Sequence, residues 1–134
     1  MCGISGIINH CGNKPKEVKS MTDVIRHRGP DGEGYLFMDY NNQLKCFGGE
    51  DTSNSIWSSN YPYSPKENIN NIAETHFSIA MGHRRLSILD LTPSGHQPMS
   101  YRNGRFWITF NGEVYNYKEI KAELIGIGHN FISE

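Results

Sequence analysis

The amino-acid sequence predicts an α+β layered domain, on three observations. An extended start containing Gly and Ile leads into a helical repeat, several strand-like runs fill the middle, and a second helical repeat stands near the end. At 134 residues the chain is about one domain, long enough for a genuine core.

Gly3 to Asn9 reads as a strand, with Ile4, Ile7 and Ile8 supplying β-branched bulk among small residues. Gly3 and Gly6 weaken it, and glycines in strands often mark the close approach of a ligand or another backbone. Pro15 stands where a helix can open, and Val18, Met21, Val24 and Ile25 recur at near-helical spacing. The cluster His27-Arg28-Gly29-Pro30-Asp31-Gly32 ends that helix after Arg26. Tyr35 to Met38 resumes an extended pattern, with Leu44 to Phe47 as its hairpin partner.

From Gly48 to about Glu74 the chain turns rich in Asn, Ser, Gly and Pro, with isolated Trp57, Tyr61 and Tyr63. A loop of that length is functional or poorly ordered. It reads as an insertion over about 48–74 whose aromatics pack it loosely on the surface, with a substrate lid as the lesser alternative. Phe77 to Met81 alternates, placing Phe77, Ile79 and Met81 on one side, and Pro93-Ser94-Gly95 makes a turn. Arg105 to Asn111 is apolar on both sides through Phe106, Trp107, Ile108 and Phe110, which predicts a central strand. Asn116 with Glu119 predicts an N-cap of capping-box type. Ile120, Leu124 and Ile127 then mark one helical face, Gly128 is the C-cap, and Phe131-Ile132 opens a further strand.

A net charge of −1 gives no reason to expect nucleic acid or an anionic membrane as partner. No run approaches the roughly 20 apolar residues of a membrane span, and the start lacks the basic-then-apolar pattern of a signal peptide. Three cysteines, Cys2, Cys11 and Cys46, form an odd set without CxxC spacing. That argues against a disulfide framework and fits a reducing cytoplasm. Neither the cysteines nor the six histidines show paired metal-ligand spacing.

Three segments carry chemistry. Removal of Met1 would put the Cys2 thiol and a free α-amine on one two-carbon unit. An amine and a thiol both titrate within about 1.5 units of neutrality, and an N-terminal amine is a recognised activator of such a nucleophile. Asn111-Gly112-Glu113 follows an apolar strand and offers a carboxamide, a backbone N–H and a carboxylate together. The first two suit a tetrahedral oxyanion, although Asn-Gly is equally the commonest hairpin-turn pair. Arg85, leaving an apolar strand, suits a substrate carboxylate as a bidentate fork, or an ordinary surface ion pair. A Cys2–His27–Asp31 triad is disfavoured, because an N-terminal amine makes a separate histidine base unnecessary.

In order, MCGISGII at 1–8, HRGPDGEG at 27–34, GHRRLSILDL at 82–91, GHQPM at 95–99 and NGEVYNYKEIKAEL at 111–124 form a specific series. It resembles the class II glutamine amidotransferase domain, of the Ntn-hydrolase type, at the front of glutamine-dependent asparagine synthetases. The resemblance implies a four-layer α/β/β/α sandwich, C-terminally incomplete here, that hydrolyses L-glutamine to glutamate and ammonia. It implies Cys2 as the nucleophile forming a γ-glutamyl thioester, with its own α-amine moving the proton. Asn111 and Gly112 are implied as the oxyanion hole, and Arg85 as the partner of the glutamine α-carboxylate. Backbone groups of Leu86, Ile88 and Leu89 would line the site, and Glu113 would accept from the α-ammonium. Arg84 occupies a variable position of its motif and is given no role.

No metal or cofactor is implied for this half-reaction. ATP and magnesium would belong to a covalently linked synthetase domain, whose Gly-rich pyrophosphatase loop has no counterpart here. An aspartate of a Ser-Asp motif would follow just after Glu134, so the resemblance reads the chain as the front of a larger cytoplasmic enzyme. The stretch from about 42 to 76 is longer and more polar than the linker of typical asparagine synthetases. That leaves the ammonia acceptor open between aspartate and another substrate, such as a sugar of surface-polysaccharide pathways. A non-catalytic remnant that only binds glutamine is the alternative of a different class. Against it stands the intactness of every catalytic position present.

Overall fold

The computed structural model describes residues 1–8, 14–73, 76–88 and 90–131. Its strands are β1 (Gly3–Ile8), β2 (Gly32–Met38), β3 (Leu44–Gly48), β4 (Glu67–Asn68), β5 (Ile79–Arg85), β6 (Met99–Tyr101) and β7 (Phe106–Ile108); its α-helices are α1 (Pro15–Val24), α2 (Asn54–Trp57) and α3 (Tyr117–Gly126). This is the expected mixed α+β architecture. A five-stranded sheet runs in the order β1-β5-β2-β3-β4, and β6 and β7 form a separate two-stranded sheet. Among the described residues, no helix is long and apolar enough to cross a membrane.

β5 is central, antiparallel to β1 on one side and β2 on the other. Side chains alternate between the faces of a strand, so the register sorts the sheet into two environments. Ala80 pairs with Phe37, Gly82 with Tyr35 and Arg84 with Glu33. This set faces α1, where buried Val18, Tyr35, Phe37, Phe47, Ile69, Phe77 and Ala80 form the apolar core. Phe37 meets Phe47 and Phe77 edge-on at 5.5 and 5.2 Å between ring centres, a geometry worth about 1 kcal/mol beyond area burial. On α1, Thr22 is fully buried and donates to the Val18 carbonyl while sharing a 2.6 Å hydrogen bond with Ser5 of β1. The opposite face carries His83 and Arg85, and there Gly34 lies directly against His96 and Gln97. Neighbouring arginines 84 and 85 therefore belong to different environments.

α1 starts at Pro15 as expected and ends at Val24, with Arg26–Arg28 winding into one 3₁₀ turn. The segment after β3 departs from its expectation of loose packing. Thr52, Ile56, Tyr63, Ser64 and Ile69 are all buried, α2 forms within it, and β4 pairs parallel to β3. Its polar residues serve as partners for buried groups: Thr52 Oγ1 donates to the Glu33 carbonyl at 2.7 Å and accepts from the Gly49 N–H at 2.9 Å. The part of the insertion at 74–75 lies outside the described residues.

Phe77 is buried but precedes β5, and the core-facing strand residue is Ala80, with Ile79 and Met81 only half-buried. The inward parity is the reverse of the alternation expected. The predicted central strand at 105–111 is also different. β7 covers only Phe106–Ile108 and pairs with β6 alone, leaving Phe106, Ile108 and Phe110 about half exposed.

Asn116 caps α3 as expected but its side chain makes no cap bond. Its backbone is near φ −97° and ψ 31° rather than the extended conformation that aims a capping oxygen at the first turn. Gly128, at φ 92°, closes the helix with bonds from Gly128 N–H to the Ile125 carbonyl and from His129 N–H to the Leu124 carbonyl. This is a Schellman motif, with glycine in the left-handed position it favours. Phe131 is not in a strand, and Ile132 lies outside the described residues.

Candidate active site

Register builds the site. Gly3 pairs with Arg84, so continuing the antiparallel ladder sets Cys2 beside Arg85 and Leu86 as β5 ends. The Leu86 N–H donates to Cys2 Sγ at 3.3 Å, and Arg28 Nε donates to the Cys2 carbonyl at 3.3 Å. The His27–Gly32 loop is tied to the same strand end. Asp31 N–H donates to the Arg85 carbonyl at 3.0 Å, and the Asp31 carboxylate accepts from Ser87 N–H at 2.8 Å. Asp31 is thereby engaged with backbone, away from any triad role.

A cleft of about 550 Å³ opens at this point, lined by Met1, Cys2, Arg85, Leu86, Ile88, Asn111, Gly112 and Glu113 among others. Sequence-predicted site residues from both ends of the chain thus meet in one concavity; Leu89 lies outside the described residues. Gln97, Asp90 and Tyr115 also line the cleft, and none had been assigned a part. Gln97 sits in the GHQPM stretch, which was the available signal. Its Oε1 accepts from the Phe110 N–H at 2.6 Å, fixing the backbone one residue before Asn111.

Arg85 is buried, and its guanidinium grips the turn that follows. Nη1 donates to the Thr92 carbonyl at 3.0 Å and Nη2 to the Asp90 carbonyl. Gly95 makes this possible, since a Cβ there would collide with the guanidinium. A guanidinium has five N–H donors, so two carbonyl bonds do not exhaust the fork. Burial works to raise the Asp90 carboxyl. The hydrogen bonds from Thr92 and Ser94 and the charge of Arg85 outweigh it and hold the group below its usual value.

Behind Arg85 lie two buried histidines. Burial pushes His83 down to about 4, helped by the Arg85 charge and opposed by a hydrogen bond with the Phe110 backbone. Burial also pushes His96 down to about 4, helped by His83 and Arg85. Both rings are neutral at pH 7 in the folded protein. A histidine whose folded value lies below its unfolded value favours unfolding as it gains a proton. Stability is therefore full above about pH 6.5 and falls as the pH drops toward 4, by on the order of 3 kcal/mol per ring at the acid limit. The melting temperature is expected to drop steadily from pH 7 to pH 4.5, with a shallower slope in His96→Gln. A wild-type melt flat across that range would refute the assignment.

The chain matches the glutamine amidotransferase domain model over residues 1–45 and 68–134. It belongs to that family. It is 30% identical over 98% of its length to asparagine synthetase [glutamine-hydrolyzing] 1 of Bacillus subtilis, and 32% identical over 92% of its length to putative asparagine synthetase [glutamine-hydrolyzing] 2 of Methanocaldococcus jannaschii. It is also 32% identical over 93% of its length to a probable glutamine–fructose-6-phosphate aminotransferase [isomerizing] of Acanthamoeba polyphaga mimivirus. The chain spans 15%, 20% and 20% of these relatives' own lengths. No solved structure matches it.

Proposed function

We propose that this glutamine amidotransferase domain is the glutaminase part of a cytoplasmic, glutamine-dependent asparagine synthetase. It cleaves L-glutamine and passes ammonia to an ATP-activated aspartate on a covalently linked synthetase domain. The observation that carries the reading is the meeting of Cys2, Arg85, Asn111, Gly112 and Glu113 in one cleft. The finer fold proposed is the four-layer Ntn-hydrolase sandwich. α1 and the five-stranded sheet supply two layers, and the β6–β7 pair and α3 supply the start of the others.

Once Met1 is removed, the α-amine of Cys2 takes the thiol proton and the sulfur attacks the glutamine γ-carboxamide carbon. Charge then develops on the carbonyl oxygen, where the Asn111 side-chain amide and the Gly112 N–H would donate to it. One such donor is typically worth about 100- to 1000-fold in rate. Collapse breaks the C–N bond, the ammonium returns its proton to the leaving nitrogen, and ammonia departs to leave a γ-glutamyl thioester. Water, deprotonated by the same amine, cleaves the thioester and releases glutamate. The Arg85 fork holds the α-carboxylate and Glu113 accepts from the α-ammonium, which orients the amide on the thiol.

Covalent labelling tests the reading. A glutamine analogue with an electrophilic ketone at the side-chain end is expected to modify Cys2 of processed protein, seen as a mass increase on the N-terminal peptide. Excess L-glutamine should protect. Label on Cys46 instead, or labelling indifferent to glutamine, would sink it. A second reading, in which ammonia goes to a sugar, is favoured by the likeness to the mimivirus protein, whose name specifies fructose 6-phosphate.

A further inference from the structure

The stretch between 46 and 67, which the family model passes over, contacts residues that flank the site on both faces of the sheet. On the α1 side, Asp51 accepts from Arg84 Nη1 at 2.8 Å and from Arg26 Nη2 at 2.6 Å. The Asp51 N–H also donates to Glu33 Oε1 at 3.0 Å. Arg84 is the strand neighbour of Arg85, and Arg26 opens the 3₁₀ turn whose Arg28 holds the Cys2 carbonyl. On the other side, buried Tyr63 donates its hydroxyl to the Ser94 carbonyl at 2.8 Å. Ser94 belongs to the turn that receives the Arg85 guanidinium, and its hydroxyl donates to the Asp90 carboxylate at 2.8 Å.

We propose that Asp51 and Tyr63 are positioning residues for Arg85, so that this chain's own polar segment sets the fork that takes the substrate α-carboxylate. This rests on the glutaminase reading and deepens it. Asp51 neutralises Arg84 and thereby holds the end of β5 against β2, which fixes where the Arg85 backbone leaves the sheet. Tyr63 holds the turn against which the guanidinium rests, which fixes the direction of the fork. Neither residue is given a part in bond making, so their effect belongs on substrate capture rather than on turnover.

Steady-state glutaminase assays on Asp51→Asn and Tyr63→Phe test this, with Glu50→Gln as an exposed control from the same segment. Iodoacetamide alkylation, read by mass on the Cys2 peptide, reports the nucleophile without any need for Arg85. Each positioning variant is expected to raise KM for glutamine about fivefold to tenfold. In both, kcat should stay within about twofold and the Cys2 alkylation rate should match wild type. A merely structural role would lower the folded fraction of protein, and with it the apparent kcat, and leave KM where it was, and that result overturns the proposal. A fall in Cys2 alkylation parallel to the rise in KM overturns it too, because the segment would then be supporting Cys2. Wild-type protein without glutamine turnover overturns the glutaminase reading and the proposal with it. Wild-type turnover with KM unchanged in both variants overturns the proposal alone.

Discussion

Cys2→Ala is expected to reduce glutamine hydrolysis by about 10⁴-fold or more, the usual cost of deleting a covalent nucleophile, while leaving the fold intact. The side chain sits half-buried at the mouth of the cleft, and its recorded bonds are to the Leu86 backbone. Stability should therefore change by less than about 1 kcal/mol. Cys2→Ser keeps the shape and an acceptor for the Leu86 N–H but replaces sulfur with a far weaker nucleophile. It should fall nearly as far as the alanine variant. Thermal unfolding and glutamate release measured on the same preparations separate the two quantities. Glutamine turnover that survives in Cys2→Ala would place the nucleophile elsewhere.

Arg84→Met should be the most destabilising single change, by about 3–5 kcal/mol, because it leaves the buried Glu33 carboxylate without its cation. Arg84 and Glu33 are 1% and 3% exposed, with Arg84 Nη1 3.2 Å from Glu33 Oε2 and 2.8 Å from Asp51 Oδ2. Glu33 is further tied to Tyr35, whose hydroxyl donates at 2.6 Å. Burial, reinforced by that carboxylate, drives the Tyr35 phenol well above its ordinary range. Removing the cation leaves the Glu33 carboxylate buried without a counter-charge. Arg84→Lys should recover only part of the loss, since an ammonium is more strongly hydrated than a guanidinium and costs more to bury at this site. Arg84→Met combined with Glu33→Gln should be more stable than Arg84→Met alone. Urea unfolding of the series measures this, and an Arg84→Met midpoint equal to wild type would show that the acids are not relying on the arginine.

Where local pattern governs, the fold was readable. β1, α1 and the β2–β3 hairpin follow from β-branched residues, near-helical spacing and a Gly/Pro/Asp cluster, all of which act over a few residues. The segment after β3 was not readable, because its polarity is explained by partners far off in sequence. Asp51 and Thr52 look like loop residues until Glu33 and Arg84 are placed beside them. β7 misled for the opposite reason: an apolar run on both sides of a strand implies cover, but the pairing found is to β6 alone. At the candidate site, Cys2, Arg85 and the stretch 111–113, which one cleft gathers, were legible as motifs because reactive groups are chemically distinctive. Gln97 and Tyr63 were not, since each acts through one hydrogen bond to a backbone group that only the fold brings near.

The placing of Arg84 and Arg85 on opposite faces of β5 makes strand pairing and site assembly a single event. A slip of one residue would exchange the two side chains. One guanidinium would enter the α1 face away from Glu33 and Asp51, and the other would meet the 90–95 turn from the wrong strand position. Both errors are charged and both side chains are buried in the aligned sheet, so the misaligned sheet is penalised electrostatically as well as through its apolar residues. A correctly aligned β5 already carries its anion-binding fork at the cleft. The strand is in this sense proofread by the residues that equip it.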